Sequence, residues 1–285
     1  MIKQIIEYII DKNGDKNMIG RNFLSTQDED MLSKVYKTFS KINNTKIVYS
    51  MVKENAKELL KYIGKLNDQE QSEVNYQSNR YLLNYLAMAR LFIDRVEENI
   101  AENYTKNSVE YINFKKLTSN EYDSSFTYRL LWDLRNYTQH YALPIHRYKQ
   151  FIDEEEKHHS KIYICPDILI NGSFKWKLVV LKDLKQQTKD LDVLNLIEEH
   201  MISLSKIYKY FLLCYIDEFK EAINKYEIFR NEYGYTGTLY LVEFKDYKTY
   251  KKADIRNYKN AKLLGHEKLI NDYISELDNH GLFNF

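Results

Sequence analysis

The chain has 285 residues, enough for one large domain or two small ones, and its hydrophobic fraction of 44% provides for a sizeable core. A formal net charge of +1 argues against a general nucleic-acid coating protein, since such proteins are normally basic. The sequence holds only 2 Pro and 8 Gly, which long helices tolerate and turn-rich all-β folds do not. We therefore expect a mainly α-helical protein.

The first segment of the chain, residues 1–45, is predicted to be helical. Residues 1–11 are apolar but interrupted by charges, which indicates a short amphipathic helix rather than a signal peptide. A second helix is predicted over residues 25–40. The dipeptide Asn43-Asn44 predicts a break in the chain after that helix.

The central segment, residues 46–232, is predicted to form a helical domain. Apolar residues at helical spacing indicate helices over residues 46–66 and 71–104. A shorter amphipathic helix is predicted over residues 124–141. A long apolar stripe at spacings of three and four then indicates a helix over residues 192–232, which is expected to close the bundle.

Two segments are predicted to contain strands. Residues 160–184 indicate a β-hairpin inserted in the helical domain, because Asn171-Gly172 is a strong hairpin turn signal between apolar runs. The C-terminal extension, residues 233–285, is predicted to hold a strand over residues 238–244 and a short helix. We expect this α/β tail to pack on the hairpin.

No metal site, cofactor site or membrane span is predicted. Cys165 and Cys214 have no CxxC partner and no metal-type spacing, so both are expected to be free thiols in a reducing cytoplasm. His158 and His159 lie beside three acidic residues, but no spaced third ligand completes a metal set. His200 lies on an apolar helix and is interpreted as structural. No apolar run approaches the length of about 18 residues that a membrane span requires.

The residues that point most directly to chemistry are Arg135, Asn136 and His140, near the end of a helix that Pro144 closes. An Arg matches a phosphate with a planar fork of donors, and a His can take or give a proton near neutral pH. Such a pair could cleave RNA without a metal. Five helical residues are about 500° of rotation, so the Arg135 and His140 side chains point about 140° apart.

Two rows of side chains run along this helix. One row is entirely polar, which requires solvent, a partner or a substrate beside it, and consists of Arg129, Asp133, Asn136 and His140. The other row is apolar, is predicted to face a core, and consists of Leu130, Leu134, Tyr137 and Tyr141. On spacing alone, a surface Arg with a capping or core His stays an open alternative to a functional pair.

The preceding long helix carries Arg90, Asp94 and Glu98 at spacings of four. One interpretation is a charge ladder that stabilises the helix by roughly a few tenths of a kcal/mol per pair. The other interpretation is functional: Asp94 or Glu98 would hold Arg135 or His140 in position.

This layout resembles the HEPN superfamily, whose signature is Arg, a polar residue, a few further positions and then His. Here Arg135, Asn136 and His140 fill the signature. The resemblance covers roughly residues 46–145, with the predicted helix over residues 192–232 as an open extension of it, and is most specific over residues 128–145.

The resemblance implies an all-α antiparallel bundle that forms a homodimer, with two copies of the motif facing each other across a cleft. It implies a metal-independent endoribonuclease of a toxin–antitoxin, phage-defence or RNA-processing system, acting on RNA without a cofactor and paired with an antitoxin or another defence protein. Arg135 would neutralise the phosphate, Asn136 would orient the pair, and His140 would act as general base or acid. The supporting residues would be Asp94, Glu98, Arg129, Asp133 and Tyr141.

One branch of the family carries a Tyr two positions after the His and is silenced by nucleotide transfer to that Tyr. Here that position is Ala142, and Tyr141 lies one residue too early, so this control is not expected. The family also contains members that have kept the fold and lost the chemistry. Two rival hypotheses therefore stay open: a non-catalytic HEPN-fold module that binds RNA or a protein, and a helical scaffold with no nucleic-acid role.

Overall fold

The computed structural model is mainly helical, with two small antiparallel sheets among the residues that it describes. This confirms the mainly α class that the composition predicts. Long helices suit a chain that is poor in Gly and Pro, since those residues are the ones that interrupt helices most strongly. The described residues are 2–66, 70–152, 156, 158–244, 262–263 and 265–282.

The chain divides into two compact units. Residues 1–43 and 215–285 form one unit, and residues 44–214 form the other. The first boundary lies close to the predicted start of the central domain at residue 46. The second boundary differs from the predicted end at residue 232, because the helix that follows Cys214 belongs with the two chain ends.

The unit of residues 44–214 contains the helices that carry the candidate motif. It consists of the second part of α1 (Thr26–Ile63), α2 (Gln71–Tyr104), α3 (Val109–Ser124), α4 (Phe126–His140), α5 (Pro166–Asn171), α6 (Leu178–Gln186) and α7 (Val193–Cys214). The bounds of α2 are those predicted, and α4 lies within two residues of its predicted limits at each end.

Aromatic side chains fill the centre of this unit. The rings of Tyr49 on α1 and Tyr208 on α7 stack with 4.0 Å between their centroids. The ring of Phe92 on α2 lies 4.9 Å from that of Tyr49. Contacts of this kind add about 0.5–1.5 kcal/mol per pair to the free energy gained by burying the apolar area.

Helices α2 and α7 run in the same direction. The Tyr85 hydroxyl lies 2.8 Å from Nδ1 of His200, and the Tyr104 hydroxyl donates to the Cys214 carbonyl at 2.6 Å. The two contacts advance together along both helices, which is the relation that alternate helices have in an antiparallel bundle. The chain between α4 and α7, residues 141–192, is long enough to return to the starting end of the bundle.

A three-stranded antiparallel sheet lies in this connecting region, in the order β3 (Arg147–Ile152), β4 (His158–Ile164) and β5 (Leu191–Asp192). Strands β3 and β4 form a hairpin, so the hairpin predicted over residues 160–184 is wrong. Its turn signal, Asn171-Gly172, instead ends the short helix α5. Glycine is common after helix ends as well as in hairpin turns, so the dipeptide alone does not separate the two.

The other unit joins both ends of the chain in one sheet, in the order β2 (Lys16–Phe23), β1 (Ile2–Ile10), β6 (Thr238–Phe244) and β7 (Lys262–Leu263), together with the first part of α1, α8 (Ile216–Glu232) and α9 (Gly265–Asn279). The helix predicted over residues 1–11 is therefore wrong. Ile5 and Ile6 are both buried there, and β-branched residues pack well in strands. The strand predicted over residues 238–244 is confirmed, but it pairs with β1 rather than with the predicted hairpin.

Helix α1 continues through Asn43 and Asn44, where a break was predicted. Ile42 and Thr45 are buried on either side, so the packed face of the helix carries on across the dipeptide. An Asn inside a helix costs only about 0.7 kcal/mol relative to Ala, which such packing offsets. Although α1 has 38 residues, no helix in the described part of the chain has an apolar stretch of the length that a bilayer crossing requires.

Candidate functional site

Helix α4 carries the Arg–His motif on its last two turns. The Ser125 hydroxyl accepts a hydrogen bond from the Tyr128 backbone N–H, which caps the start of the helix as Ser commonly does. The helix ends at His140. Arg135 therefore lies one to two turns before the end, where the helix face changes from buried to exposed.

Arg129, the first member of the predicted polar row, is buried and hydrogen-bonded through Nε and Nη1. Its Nε lies 2.7 Å from Oδ2 of Asp183 on α6, and its Nη1 donates to the carbonyls of Tyr122 and Asp123 at 2.8 and 2.9 Å. The side chain thus closes the end of α3 and ties α4 to α6. This is a structural role, and the predicted supporting role of Arg129 in catalysis stays a prediction.

Asp133, the next member of the row, is also buried. Its Oδ1 lies 3.2 Å from the Lys177 ammonium, which stands at the start of α6 and also lies over the ring of Tyr122. Of the predicted alternatives for the row, which are solvent, a partner or a substrate, its first half has partners within the chain. Other segments of the same unit supply the partners of Arg129 and Asp133.

Arg135 is partly buried and has no carboxylate partner among the described residues. Its Nη1 donates to Oδ1 of Asn136 at 3.3 Å, whereas its buried Nε has no hydrogen-bond partner in that part of the chain. The side chain lines a narrow pocket together with Arg90, Trp132 and His200. The guanidinium of Arg90 lies 3.8 Å from the centre of the Trp132 ring. Because Arg90 is ion-paired with Asp94, Arg135 is the guanidinium of this pocket that has no carboxylate partner among the described residues.

Asn136 and His140 are exposed on one face of α4. No described residue forms a hydrogen bond, an ion pair or a ring contact with the His140 imidazole. Within one chain, Arg135 and His140 do not hydrogen bond to each other, in agreement with their predicted separation of about 140° around the helix. The structure thus leaves His140 accessible and Arg135 half covered.

Asp94 and Glu98 contact other arginines than the motif. Oδ2 of Asp94 lies 3.0 Å from Nε of Arg90, one turn earlier on α2. Oε2 of Glu98 lies 2.5 Å from Nη1 of Arg95. Both pairs are exposed and local to α2, which agrees with the charge-ladder interpretation, and within one chain neither carboxylate contacts Arg135 or His140.

Tyr141 follows the end of α4 and is exposed, although the apolar row predicted it to face the core. Its hydroxyl accepts hydrogen bonds from the Ser173 backbone N–H at 2.7 Å and from the Ser173 hydroxyl at 3.1 Å. Donation by the Ser173 hydroxyl, and then by its N–H, lowers the pKa of Tyr141. The ring also lies against Gly172, where an added Cβ would stand 3.1 Å from Cε1. Tyr141 thus anchors the chain after α4 to the loop after α5.

His200 shares the pocket of Arg135 but is a structural residue. Its Nδ1 lies 2.8 Å from the Tyr85 hydroxyl, and its side chain is buried. Burial lowers the pKa of His200 to about 3, so the ring is neutral near pH 7 and does not act there as a proton donor of the imidazolium kind. Its place beside Arg135 was not predictable, because nothing in the local sequence relates α7 to α4.

Comparison of the chain with protein-family models, with curated proteins and with solved structures finds no match. The assignment to the HEPN superfamily therefore stays a prediction that depends on the motif residues and on the helical layout. The geometry of α4 and its neighbours is consequently the basis of the functional proposal.

Proposed function

We propose that the protein is a metal-independent endoribonuclease of the HEPN type, with Arg135 and His140 as its catalytic residues. The observation that supports this most is the state of Arg135, whose guanidinium has no carboxylate partner among the described residues, whereas Arg90, which lines the same pocket, is paired with Asp94. A cation left uncompensated at the edge of a packed bundle attracts an anion. A phosphodiester matches the donor fork of the guanidinium.

Arg135 and His140 supply complementary parts of the proposed reaction. His140 accepts the proton of a ribose 2′-hydroxyl, whose oxygen then attacks the adjacent phosphorus. The bond from phosphorus to the 5′-oxygen breaks, that oxygen takes up a proton, and a 2′,3′-cyclic phosphate is left. Arg135 stabilises the added negative charge, and Asn136 orients the guanidinium through the hydrogen bond that it accepts. Positioned proton transfer typically contributes about 10²- to 10⁴-fold to the rate.

The geometry of α4 favours an active site that two copies share. One helix presents Arg135 and His140 about 140° apart, so a phosphate held by Arg135 is poorly placed for His140 of the same chain. Two α4 helices related by a twofold axis would bring Arg135 of each copy towards His140 of the other. We therefore propose a homodimer as the active form.

The proposed setting is a toxin–antitoxin or phage-defence system in the cytoplasm, where cleavage of tRNA or mRNA halts growth. An antitoxin or another defence protein would then be a partner. This setting follows from the family resemblance, which predicts it together with the chemistry.

The proposal is tested by incubating the purified protein with labelled total RNA in excess EDTA and mapping the cut ends. We expect cleavage by the wild type that leaves 2′,3′-cyclic phosphates, and none by His140→Ala. His159→Ala is the matched control, because His159 is exposed on β4 rather than on α4 and its loss should leave cleavage unchanged. Equal cleavage by His140→Ala would show that His140 takes no part in the reaction.

A non-catalytic HEPN-fold module that binds RNA or a protein is the second candidate. In a monomer, Arg135 and His140 would point in different directions and would not act on the same phosphate. A monomeric protein would therefore favour the binding module. This alternative predicts RNA binding without cleavage, with binding retained in His140→Ala and lost in Arg135→Ala. A helical scaffold without a nucleic-acid role predicts no RNA affinity even at low salt.

A further inference from the structure

A cleft of about 350 Å³ lies where the first turn of α2 meets the start of β3. Its polar lining comes from Gln71, Ser72, Asn75, His146 and Arg147, and the ring of Tyr148 completes one wall. Small-molecule sites have volumes of about 300–1,000 Å³, so the cleft accommodates a ligand larger than a simple ion. The residues of α4 that we propose as catalytic do not line it.

A chain of hydrogen bonds fixes the amide of Asn75 as a donor. The Ile145 backbone N–H donates to Oδ1 of buried Asn79 at 3.2 Å, which makes the other amide atom of Asn79 its nitrogen. That nitrogen donates to Oδ1 of Asn75 at 2.7 Å. The amide nitrogen of Asn75 is therefore left without an acceptor among the described residues. It is available to a ligand as a donor.

His146 likewise has its acceptor atom used inside the protein and its donor left over. Its Nδ1 accepts a hydrogen bond from the Cys165 backbone N–H at 3.1 Å, so the ring proton lies on Nε2. Burial lowers the pKa of His146, and nearby Asp190 opposes this only in part. The neutral ring thus uses its acceptor inside the protein and keeps one N–H to donate.

Arg147 adds a positive charge to these neutral donors. Its guanidinium forms an ion pair with Asp190 through Nη1 and has further N–H groups to offer. The backbone N–H groups of the first turn of α2 add partial positive charge, since Glu70 provides no side-chain cap. The carboxylate of Glu73 is engaged with Gln77 on the next turn, at 2.7 Å. Asn75 and His146 therefore have their side-chain acceptors used within the protein, and together with Arg147 they keep N–H groups to donate.

We propose that this cleft binds the phosphate group of a phosphomonoester, with Asn75, His146 and Arg147 donating to its oxygens. A phosphomonoester offers three acceptor oxygens and a double negative charge, which suits several converging donors better than a neutral ligand does. The Tyr148 hydroxyl is occupied by the Leu66 carbonyl at 2.8 Å, so its ring provides an apolar wall for the rest of the ligand. This site does not depend on whether α4 is catalytic.

The same phosphate chemistry occurs in a nucleoside monophosphate and at the 5′ end of a processed RNA. We would measure binding by titration calorimetry with inorganic phosphate, AMP and adenosine. Two further probes are a 2′-O-methylated tetranucleotide with a 5′-phosphate and the same tetranucleotide with a 5′-hydroxyl. The methylated sugar prevents cleavage by attack of the 2′-oxygen, so binding is measured whether or not the protein is a nuclease.

We expect saturable binding of AMP that adenosine does not show, and that weakens as the salt concentration rises. Preference for the 5′-phosphorylated tetranucleotide over AMP would identify an RNA end as the source of the phosphate, and the reverse preference a free nucleotide. Absence of saturable binding by inorganic phosphate, AMP and the phosphorylated tetranucleotide would overturn the proposal.

The variant Asn75→Asp distinguishes binding in this cleft from a non-specific attraction of anions to the protein. Its Oδ1 still accepts from Asn79, so the fold is retained, while the outward donor becomes a negatively charged acceptor. We expect AMP binding to weaken at least about tenfold. Asn120→Asp makes the same charge change at an exposed position of α3 and should leave binding unchanged. Equal affinity of the Asn75→Asp protein and the wild type would also overturn the proposal.

Discussion

Nε of Arg129 lies 2.7 Å from Oδ2 of Asp183, and this ion pair divides α4 into two functionally different halves. The half that contains Arg129 is clamped between α3 and α6. The half that contains Arg135 and His140 extends beyond the clamp, and it exposes Asn136 and His140 to solvent while Arg135 is half covered. The proposed catalytic role needs a rigid support of this kind, since small displacements of reacting groups reduce rates strongly.

The clamp makes a stability prediction. Arg129→Ala leaves Asp183 and two backbone carbonyls without their donor, so we expect the free energy of unfolding to fall by about 3 kcal/mol. Arg95→Ala removes an exposed pair with Glu98 and should cost about 0.5 kcal/mol or less. Urea denaturation followed by circular dichroism measures both. Similar losses for the two variants would mean that Arg129 does not clamp α4.

The proposed role of Arg135 depends on its guanidinium, not on its charge alone. Arg135→Lys keeps the charge but replaces a planar fork by a single ammonium, so we expect RNA cleavage to slow by about 10²- to 10³-fold. The urea midpoint should stay close to that of the wild type, because the Arg135 side chain is not ion-paired with a described residue. Arg95→Lys is the control for a general effect of the exchange. Wild-type rates in Arg135→Lys would exclude bidentate phosphate binding by this residue.

The proposed sharing of an active site between two copies makes a prediction about mixed dimers. Arg135→Ala and His140→Ala should each be inactive as homodimers. After the two are mixed and allowed to exchange subunits, half of the dimers contain one copy of each, and each of these has one intact site. We therefore expect about one quarter of the wild-type cleavage rate. No recovery in mixed dimers of proven composition would place both residues of a site in the same chain.

The sequence was sufficient for the helices that carry a long periodic apolar face. In α2 the buried positions Leu82, Leu86, Ala89 and Ile93 recur every three or four residues, and the helix has its predicted bounds. This pattern is local, because a helix satisfies its backbone hydrogen bonds within itself. The same reasoning located α4.

The sequence was insufficient for the elements whose partners lie far away in the chain. Strand β1 pairs with β6, and buried Glu7 accepts hydrogen bonds from the backbone N–H groups of Thr236 and Gly237. Although burial raises the pKa of Glu7, these bonds and Arg21 lower it overall. A short segment with Ile at most core positions is compatible with either a helix or a strand, and only the distant partner decides.

The sequence also predicted a larger exposed polar face on α4 than the structure has, because the residues that cover this face lie far away in the chain. Helical spacing correctly placed Arg129, Asp133, Asn136 and His140 on one face of α4, but it carries no information about what covers that face. Asp183 and Lys177 cover its first half. The exposed part of the motif is therefore smaller than the polar row.

Burial of His200 predicts a specific loss of stability in acid. The pKa of His200 is lowered to about 3, whereas that of a His in the unfolded chain is about 6.5, so the unfolded state binds more protons between these pH values. The contribution of neutral His200 to the free energy of unfolding is fully present above about pH 6.5 and is lost as the pH decreases towards 3. Between pH 6 and pH 4 we expect the wild type to lose about 2 kcal/mol more than His200→Gln, which keeps a polar partner for Tyr85. Denaturant titrations between pH 4 and pH 6 measure the free energy of unfolding of each protein. The exposed control His159→Gln should show the same dependence on pH as the wild type. An equal dependence on pH for His200→Gln and the wild type would contradict a buried neutral imidazole.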